Sequence, residues 1–363
     1  MKKLIALMLI LATLILAVGC KKDKYPEIKS TKEEARVMMS FEVDGDKYEM
    51  KYELYRALFL NFSQHYDKGD KSFWDNEDSK DELAEINTKI SNYALDIFAT
   101  LHLAKKIGFD PYSDEAEKTI REYITESVEG SDELLGFGGD YDAYIDSLAA
   151  ANMNYSVHKL ILRYSIAYEK VIEYYTGTKD PSNPTENKDG SLKYDRDSVD
   201  DFYNSEDAVR VSRVIINATA KTYEQAKAIR DQIAACSTTD EILDIAVRST
   251  ATIDSDVTDG ILIGTYTLDE AYYKNATDVA FALGSGETSE VITVVTDSEY
   301  EYWVLYGREK TDAHFNECYE DIESAYISQQ IGKDINSVKM ALRNSATETD
   351  TYKNLKHSEV KMK

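Results

Sequence analysis

The chain has 363 residues, and 67 acidic against 42 basic side chains give it a formal charge of −25. A surface this acidic repels nucleic acid and anionic lipid headgroups, so we expect no nucleic-acid partner. The length suggests two modest domains. Three cysteines are too few for a disulfide framework, so the stability of these domains must come from hydrophobic cores. The sequence does not decide whether Cys236 and Cys318 form one disulfide, but two separate thiols are the favoured interpretation.

The N-terminus has the pattern of an exported lipoprotein. Two lysines precede an apolar run that ends at Cys20, and this run is too short for an ordinary membrane-spanning helix. Residues 17–20, Ala-Val-Gly-Cys, resemble a lipobox, which predicts cleavage before Cys20 and lipid on its sulfur. We therefore assign 1–19 as a signal peptide and 20–39 as a lipidated tether, with an unlipidated signal peptide as the alternative.

Residues 40–176 are predicted to form a helical domain. A short hairpin around Asp44 and Gly45 opens it, and Ser113 is placed to begin a helix after the glycine at 108. Two long apolar stripes with helical spacing follow the hairpin. Their members are Leu83, Ile86, Ile90, Ala94, Ile97, Leu101 and Ala104, and then Leu160, Ile161, Tyr164, Tyr168, Val171, Ile172 and Tyr175.

Prolines, a glycine and polar neighbours mark 177–195 as a linker. Residues 196–310 then change in character, because short β-rich runs alternate with helical patterns. The predicted order is strand, helix, helix, strand, helix, strand, strand, with the first strand at 209–216. This order is typical of an α+β domain with a small sheet.

Residues 311–342 return to a helix with one apolar face, which needs a surface to lie against. If it packs on the helical first half, the α+β unit is an insertion within one helical domain. Residues 343–363 are expected to form a polar, disordered tail. The predicted fold class is therefore α+β, with N-terminal helices and a C-terminal helix around an inserted α+β domain.

This arrangement resembles the PrsA-type foldases and SurA-type chaperones, in which a helical chaperone domain accompanies a parvulin-type (PpiC-like) peptidyl-prolyl isomerase domain. The most specific match is Phe-Ala-Leu-Gly-Ser-Gly-Glu-Thr-Ser at 281–289, which is similar to the family pattern F-x-L-x-x-G-E-x-S. The other segments that carry the resemblance are 52–56, 101–109, 113–116, 199–204, 209–216 and 259–264.

In parvulins, a methionine and a phenylalanine form the proline pocket beside two core histidines. In this chain, Arg213 occupies the position of the first histidine, and Tyr302 or Trp303 that of the second. Tyr272 replaces the methionine and Ala276 replaces the phenylalanine. Asp254 and Phe281 are retained. No histidine occurs within 196–310, so no histidine dyad can form there.

These replacements predict a parvulin-like domain with weak or lost isomerase activity. An inward-pointing arginine only donates hydrogen bonds and needs a carboxylate, for which Asp254 is the candidate. Ala276 removes one wall of the proline pocket, which Tyr272 or Trp303 can partly fill. The alternative is an active isomerase with a pocket rebuilt around Asp254, Tyr272 and Trp303.

The resemblance implies a membrane-anchored extracytoplasmic foldase that binds unfolded or newly exported polypeptides. By analogy, its lipid anchor lies in the outer leaflet of the cytoplasmic membrane of a Gram-positive cell. We expect no cofactor and no metal, and a homodimer stays open. A solute-binding lipoprotein is a remote alternative, because its two lobes need alternating strands and helices that the helical first half lacks.

Overall fold

The computed structural model describes residues 24–131, 135–176, 194–249, 254–268, 270–295 and 300–362, apart from the side chains of 65, 249 and 270–272. The signal peptide, Cys20 and most of the linker therefore lie outside the described residues, as does the side chain of Tyr272. No helix in the described part of the chain combines the length and apolarity needed to cross a bilayer. Cys236 and Cys318 are both free thiols, so they do not form the bridge that the sequence left open.

The chain is a mixture of helices and two small antiparallel sheets, which confirms the predicted α+β class. It divides into two compact units. The helical unit contains the residues up to Ile172 together with Asp334–Lys363, and the inserted unit is Glu173–Lys333.

The helical unit begins with a β-hairpin followed by five helices. These elements are β1 (Val37–Val43), β2 (Asp46–Lys51), α1 (Tyr52–Asp67), α2 (Lys80–Lys106), α3 (Asp114–Glu129), α4 (Tyr141–Ala150) and α5 (Tyr155–Thr176). Asp44 and Gly45 both have positive φ, 50° and 83°, which is the two-residue turn whose twist suits a hairpin. The predicted hairpin and both long helices are thus present.

The core of the helical unit follows the first predicted stripe, on α2, but only part of the second, on α5. In the second stripe Tyr168 is exposed, and Leu160, Tyr164 and Ile172 are half-buried. From Ile86 to Ala104, the stripe residues of α2 are buried, whereas Leu83 is only half-buried. Ser113 begins α3 as predicted, because its hydroxyl accepts a hydrogen bond from the Ala116 amide at 3.2 Å. Burying each large aliphatic side chain contributes roughly 1.5–3 kcal/mol, so the stripes account for the packing of these helices.

The inserted unit carries a four-stranded sheet with helices on both faces. Its elements are α6 (Arg196–Asn204), β3 (Ala208–Asn217), α7 (Tyr223–Ala234), α8 (Thr239–Ser249), α9 (Asp254–Thr258), β4 (Ile261–Gly264), α10 (Glu270–Ala282), β5 (Ile292–Val295), β6 (Tyr300–Arg308), α11 (Asp312–Glu317) and α12 (Tyr319–Ser345). The strand order is β4-β3-β6-β5, and each neighbouring pair is antiparallel.

Strand alternation separates two cores in this unit. Val214, Ile216 and Val304 pack against α7 and α8 on one face of the sheet. Val211, Ile263 and Leu305 pack against α10 on the other. The observed order of elements is the predicted one with the short helix α9 added before the second strand.

The predicted C-terminal helix at 311–342 is wrong in part. It is two helices, α11 and α12, and its first half packs within the inserted unit rather than on the helical unit. The reason is that Phe315 and Ile322 find apolar partners on α6, where they form a small core with Val199 and Tyr203. From residue 334 onward, α12 belongs to the helical unit, where Lys339 pairs with Asp96 of α2 at 2.5 Å.

The expectation of a disordered tail at 343–363 is also wrong. A two-residue strand, β7 (Thr347–Glu348), pairs antiparallel with β1, and a short helix, α13 (Asp350–Lys353), follows it. The tail is ordered because single apolar anchors are spaced among its polar residues. Tyr352 packs edge-on against Tyr55 at 5.6 Å between ring centroids, and the side chain of Val360 is 0 % exposed.

Candidate functional site

Arg213 and Trp303 lie together on the α10 face of the inserted unit's sheet. In the register between β3 and β6, Ile215 stands opposite Trp303 and Arg213 opposite Leu305, so all four side chains share one face. The guanidinium carbon of Arg213 lies 4.7 Å from the centroid of the Trp303 ring. This distance is typical of a cation–π contact.

Asp256, and not Asp254, is the carboxylate that pairs with Arg213. Nε and Nη2 of the arginine donate to Oδ2 of Asp256 at 2.9 and 2.7 Å. Asp254 is the first residue of α9 and its side chain is exposed, whereas Asp256 is buried. Two residues on a helix differ by about 200° in direction, so only one of the two carboxylates can face the sheet.

The rest of this face is closed by packing. Trp303 is buried, donates through its indole nitrogen to Oε2 of Glu301 at 2.8 Å, and stacks on Tyr273 at 5.2 Å between centroids. Ala276 is buried in the same core, and Phe281 packs against it. The positions matched to the proline pocket therefore lie in a filled interior wherever their side chains are described.

Tyr302 points to the opposite face, where its ring packs against Tyr223 and Tyr300. Trp303 is thus the residue that shares a face with Arg213, and Tyr302 is not part of the cluster. Sequence reasoning missed Asp256, Glu301 and Tyr273. The carboxylates at 254 and 256 were visible in the sequence, but choosing between them needed the rotational phase of α9.

The cluster offers hydrogen-bond donors and carboxylates but no imidazole. Guanidinium only donates hydrogen bonds, and no imidazole lies within 196–310. The side chain of Arg213 is 19 % exposed, and its Nη1 has no partner among the described residues. This nitrogen is free to donate to a carbonyl oxygen of a bound chain. Arg213, Trp303 and Ala276 do not line either of the two cavities described below.

The helical unit contains a cavity of about 440 Å³, the N-terminal cavity, beside β2, α1 and α5. Its lining combines apolar and charged side chains. The apolar ones are Tyr48, Leu54, Phe98, Tyr112, Val157 and Leu160, and the charged ones are Glu27, Lys47, Glu49, Lys51, Glu53, Lys159 and Arg163. The ring of Tyr112 is 54 % exposed, so it is offered to a ligand.

Part of the charged lining of the N-terminal cavity is held in place by a network of ion pairs and hydrogen bonds around Arg163 and Lys159. Arg163 donates to the carbonyl of Pro111 at 3.0 Å, pairs with Glu117 and lies over the Tyr112 ring at 4.6 Å. Lys159 bridges Glu27 and Glu117 at 2.8 and 2.9 Å. Burial alone would raise the pKa of Glu117, but the hydrogen bond from Lys159 and the charge of Arg163 lower it below its usual value. Glu117 is therefore ionised at neutral pH.

Comparison with known proteins gives weak structural likenesses only. No family model and no curated protein matches the sequence. Among solved structures, foldase protein PrsA from Streptococcus pneumoniae is similar at 14% identity and a TM-score of 0.30, over 77% of this chain and 93% of that one. PrsA from Bacillus subtilis is similar at 16% identity and a TM-score of 0.26, over 77% of this chain and 94% of that one. Foldase protein PrsA from Lactococcus lactis is similar at 13% identity and a TM-score of 0.25, over 90% of this chain and 100% of that one. At TM-scores this low, none of these likenesses establishes the fold or the function of the chain.

Proposed function

We propose that the protein is a membrane-anchored extracytoplasmic chaperone of the foldase type. Its helical unit binds segments of unfolded or newly exported polypeptides in the N-terminal cavity. Its inserted unit is a parvulin-like domain with weak or absent isomerase activity. Lipid on Cys20 attaches the chain to the outer leaflet of the cytoplasmic membrane.

The observation that carries the proposal is the mixed apolar and charged lining of the N-terminal cavity. An unfolded chain presents apolar side chains and unpaired backbone amides together. The exposed ring of Tyr112 offers apolar contact with a polar tip, and charged side chains such as Lys51 and Glu49 offer hydrogen bonds to peptide groups. At about 440 Å³, the cavity is large enough for a few residues of an extended segment.

The weak-isomerase part is supported by the packing around Arg213. Lowering the barrier of about 18–20 kcal/mol to prolyl rotation requires a site that grips the proline ring and favours the twisted amide. Ala276 and Trp303 are both buried, and Arg213 is engaged by Asp256. We therefore expect no acceleration of isomerisation in a proline-containing peptide. Acceleration that Trp303→Ala or Asp254→Ala removes would instead favour the active isomerase with a rebuilt pocket.

The test of chaperone activity is the aggregation of an unfolded client protein, followed by light scattering. We expect the chain to slow aggregation, and we expect the double variant Tyr112→Ser, Leu160→Gln to lose most of the effect. Removing an exposed ring and part of an apolar wall should raise the concentration needed for equal protection on the order of ten-fold.

The matched control is Tyr168→Ser. Tyr168 is exposed like Tyr112 and lies on α5 like Leu160, but it does not line the cavity. It should protect the client as the unaltered chain does. No protection by the unaltered chain, or equal loss in the double variant and the control, would contradict the proposal.

A further inference from the structure

The inserted unit contains a second cavity of about 490 Å³, the α6–α12 cavity, between α6, the turn that follows β4, and α12. Two rings form its apolar part. Phe202 and Tyr326 lie 5.5 Å apart between centroids, with an angle of 52° between their planes. Polar residues complete the lining, among them Asp201, Asp207, Gln329 and Lys333.

Gln329 presents a hydrogen-bond donor at the wall of this cavity. Its side chain is 5 % exposed, and Oε1 accepts from the backbone amide of Tyr266 at 2.7 Å. Its Nε2 has no protein partner among the described residues. A carboxamide fixed through its oxygen, with its NH₂ left unpaired, is arranged to donate to an acceptor such as a peptide carbonyl.

Two glycines make room for this arrangement. A Cβ at Gly264 would lie 2.7 Å from Oε1 of Gln329 and 3.0 Å from the Phe202 ring. A Cβ at Gly332 would lie 2.6 Å from the carbonyl oxygen of Tyr266. Because both positions lack a side chain, α12 approaches the turn after β4 closely enough for Gln329 to reach the Tyr266 amide. The geometry of the wall thus depends on glycine at these two positions.

The charges around the α6–α12 cavity favour a cation. Asp201 and Asp207 are exposed carboxylates, and neither has an ion-pair partner among the described residues. Lys333 contributes one positive charge, so the charged side chains of the lining sum to −1. The neighbouring ammonium of Lys310 is held by the carbonyl oxygens of Ser205 and Ala208. Carboxylates next to aromatic faces suit the side chain of lysine or arginine, which gains both ionic and cation–π contacts.

We propose that the α6–α12 cavity binds an extended polypeptide segment that carries a basic side chain. The carboxamide of Gln329 donates to a backbone carbonyl of the segment. The rings of Phe202 and Tyr326 contact the aliphatic stem of the basic residue, and Asp201 and Asp207 attract its charge. The inference takes the polypeptide nature of the ligand from the proposed function, but the site is separate from the N-terminal cavity.

The experiment is calorimetric titration of the full chain with a terminally blocked peptide that has one central lysine between leucines. The comparison peptide has glutamate in place of the lysine. We expect the lysine peptide to bind about ten-fold or more tightly than the glutamate peptide at low salt, with the difference shrinking as salt is added. Failure of the folded chain to bind the lysine peptide, or equal binding of the two, would overturn the proposal.

Three variants locate the binding. Gln329→Leu should weaken it roughly five-fold, because one hydrogen bond is lost. Asp207→Asn should also weaken it, whereas Lys333→Met should strengthen it, because the repelling charge is removed. Opposite effects of these last two cannot arise from a general loss of folding, and the absence of that opposition would count against the site.

The control is Tyr168→Ser, which removes an exposed ring that lines neither cavity and should leave binding of the lysine peptide unchanged. If Tyr112→Ser abolishes binding and Gln329→Leu does not, the peptide occupies the other cavity and this inference is wrong. If the lysine peptide binds as described but the chain does not slow client aggregation, the proposed function fails while this site stands. If the chain slows client aggregation but does not bind the lysine peptide, this site is wrong while the proposed function stands.

Discussion

At the scale of single residues, the inserted unit depends on one mostly buried ion pair. Arg213 is held between the carboxylate of Asp256 and the ring of Trp303. A charge in this position is costly unless it is paired, because the sheet face around it is apolar. The two neighbouring carboxylates on α9 therefore differ in importance, although the sequence gives them the same side chain.

We predict that Asp256→Asn destabilises the inserted unit by about 1–3 kcal/mol, because Arg213 keeps its charge and loses its partner. Asp254→Asn is the matched control and should change the free energy of unfolding by less than about 0.5 kcal/mol, since its side chain is exposed. The measurement is urea unfolding followed by Trp303 fluorescence in a Trp74→Phe background, because the chain has two tryptophans. Equal effects of the two substitutions would show that the pair does not stabilise the unit.

What the sequence could and could not predict at this scale follows from periodicity. Alternation along β3 placed Arg213 on one face of the sheet, and its need for a carboxylate followed from its chemistry. Its partner and the choice between Tyr302 and Trp303 depended on the register between β3 and β6 and on the phase of a five-residue helix. Neither is encoded in local pattern, so both had to be observed.

At the scale of elements, the last residues of the chain complete the first sheet. The order β2-β1-β7 places β1 in the centre, with its second edge covered by residues of the tail. Thr349 adds hydrogen bonds from its amide and its hydroxyl to the carbonyl of Met38, both at 3.0 Å. An edge that would otherwise expose unpaired backbone groups is thereby closed.

We predict that Val360→Ala lowers the free energy of unfolding of the helical unit by about 1–3 kcal/mol, because a fully buried side chain is cut back. Lys361→Ala is the control, since that side chain is exposed, and it should be close to neutral. Thermal unfolding of both variants checks this. A neutral Val360→Ala would mean that the tail adds no stability.

The sequence did not predict an ordered tail, because its apolar anchors stand alone among polar residues and show no period. A hydrophobic stripe, such as the one on α2, repeats its signal over several turns. Tyr352 and Val360 each give that signal once, and the ring partner of Tyr352 lies about 300 positions earlier in the chain. Composition alone therefore favoured disorder.

At the scale of the whole molecule, one unit is inserted into another, and the two crossings differ in how visible they are. The first falls between Ile172 and Glu173, in the last turn and a half of α5. A segment with Pro181, Pro184 and Gly190 follows within a few residues and predicted a boundary. The second falls at Lys333, inside the continuous helix α12. A helix that passes from one unit to the other carries no turn residue to mark the change, so the sequence placed this boundary too early.

For the intact protein, we predict that Cys20→Ala releases the chain from membranes, because lipid on Cys20 is the proposed anchor. Cys236→Ala is the control and should remain with the membrane fraction, since that thiol is free and lies in the inserted unit. Fractionation and labelling with a lipid precursor measure both. Unchanged attachment and labelling in Cys20→Ala would refute the lipoprotein assignment.

The pairing of β1 with β7 also sets an order in time. If the chain is exported as proposed, it emerges with its N-terminus first, so β1 and β2 leave the translocation channel long before β7 exists outside it. The inserted unit is contiguous and has all of its strands once Arg308 has emerged. It can therefore fold while the first sheet still lacks an edge, and the helical unit waits for the last residues of the chain. A chain that ends early would keep its inserted unit and lose the helical unit that holds the N-terminal cavity.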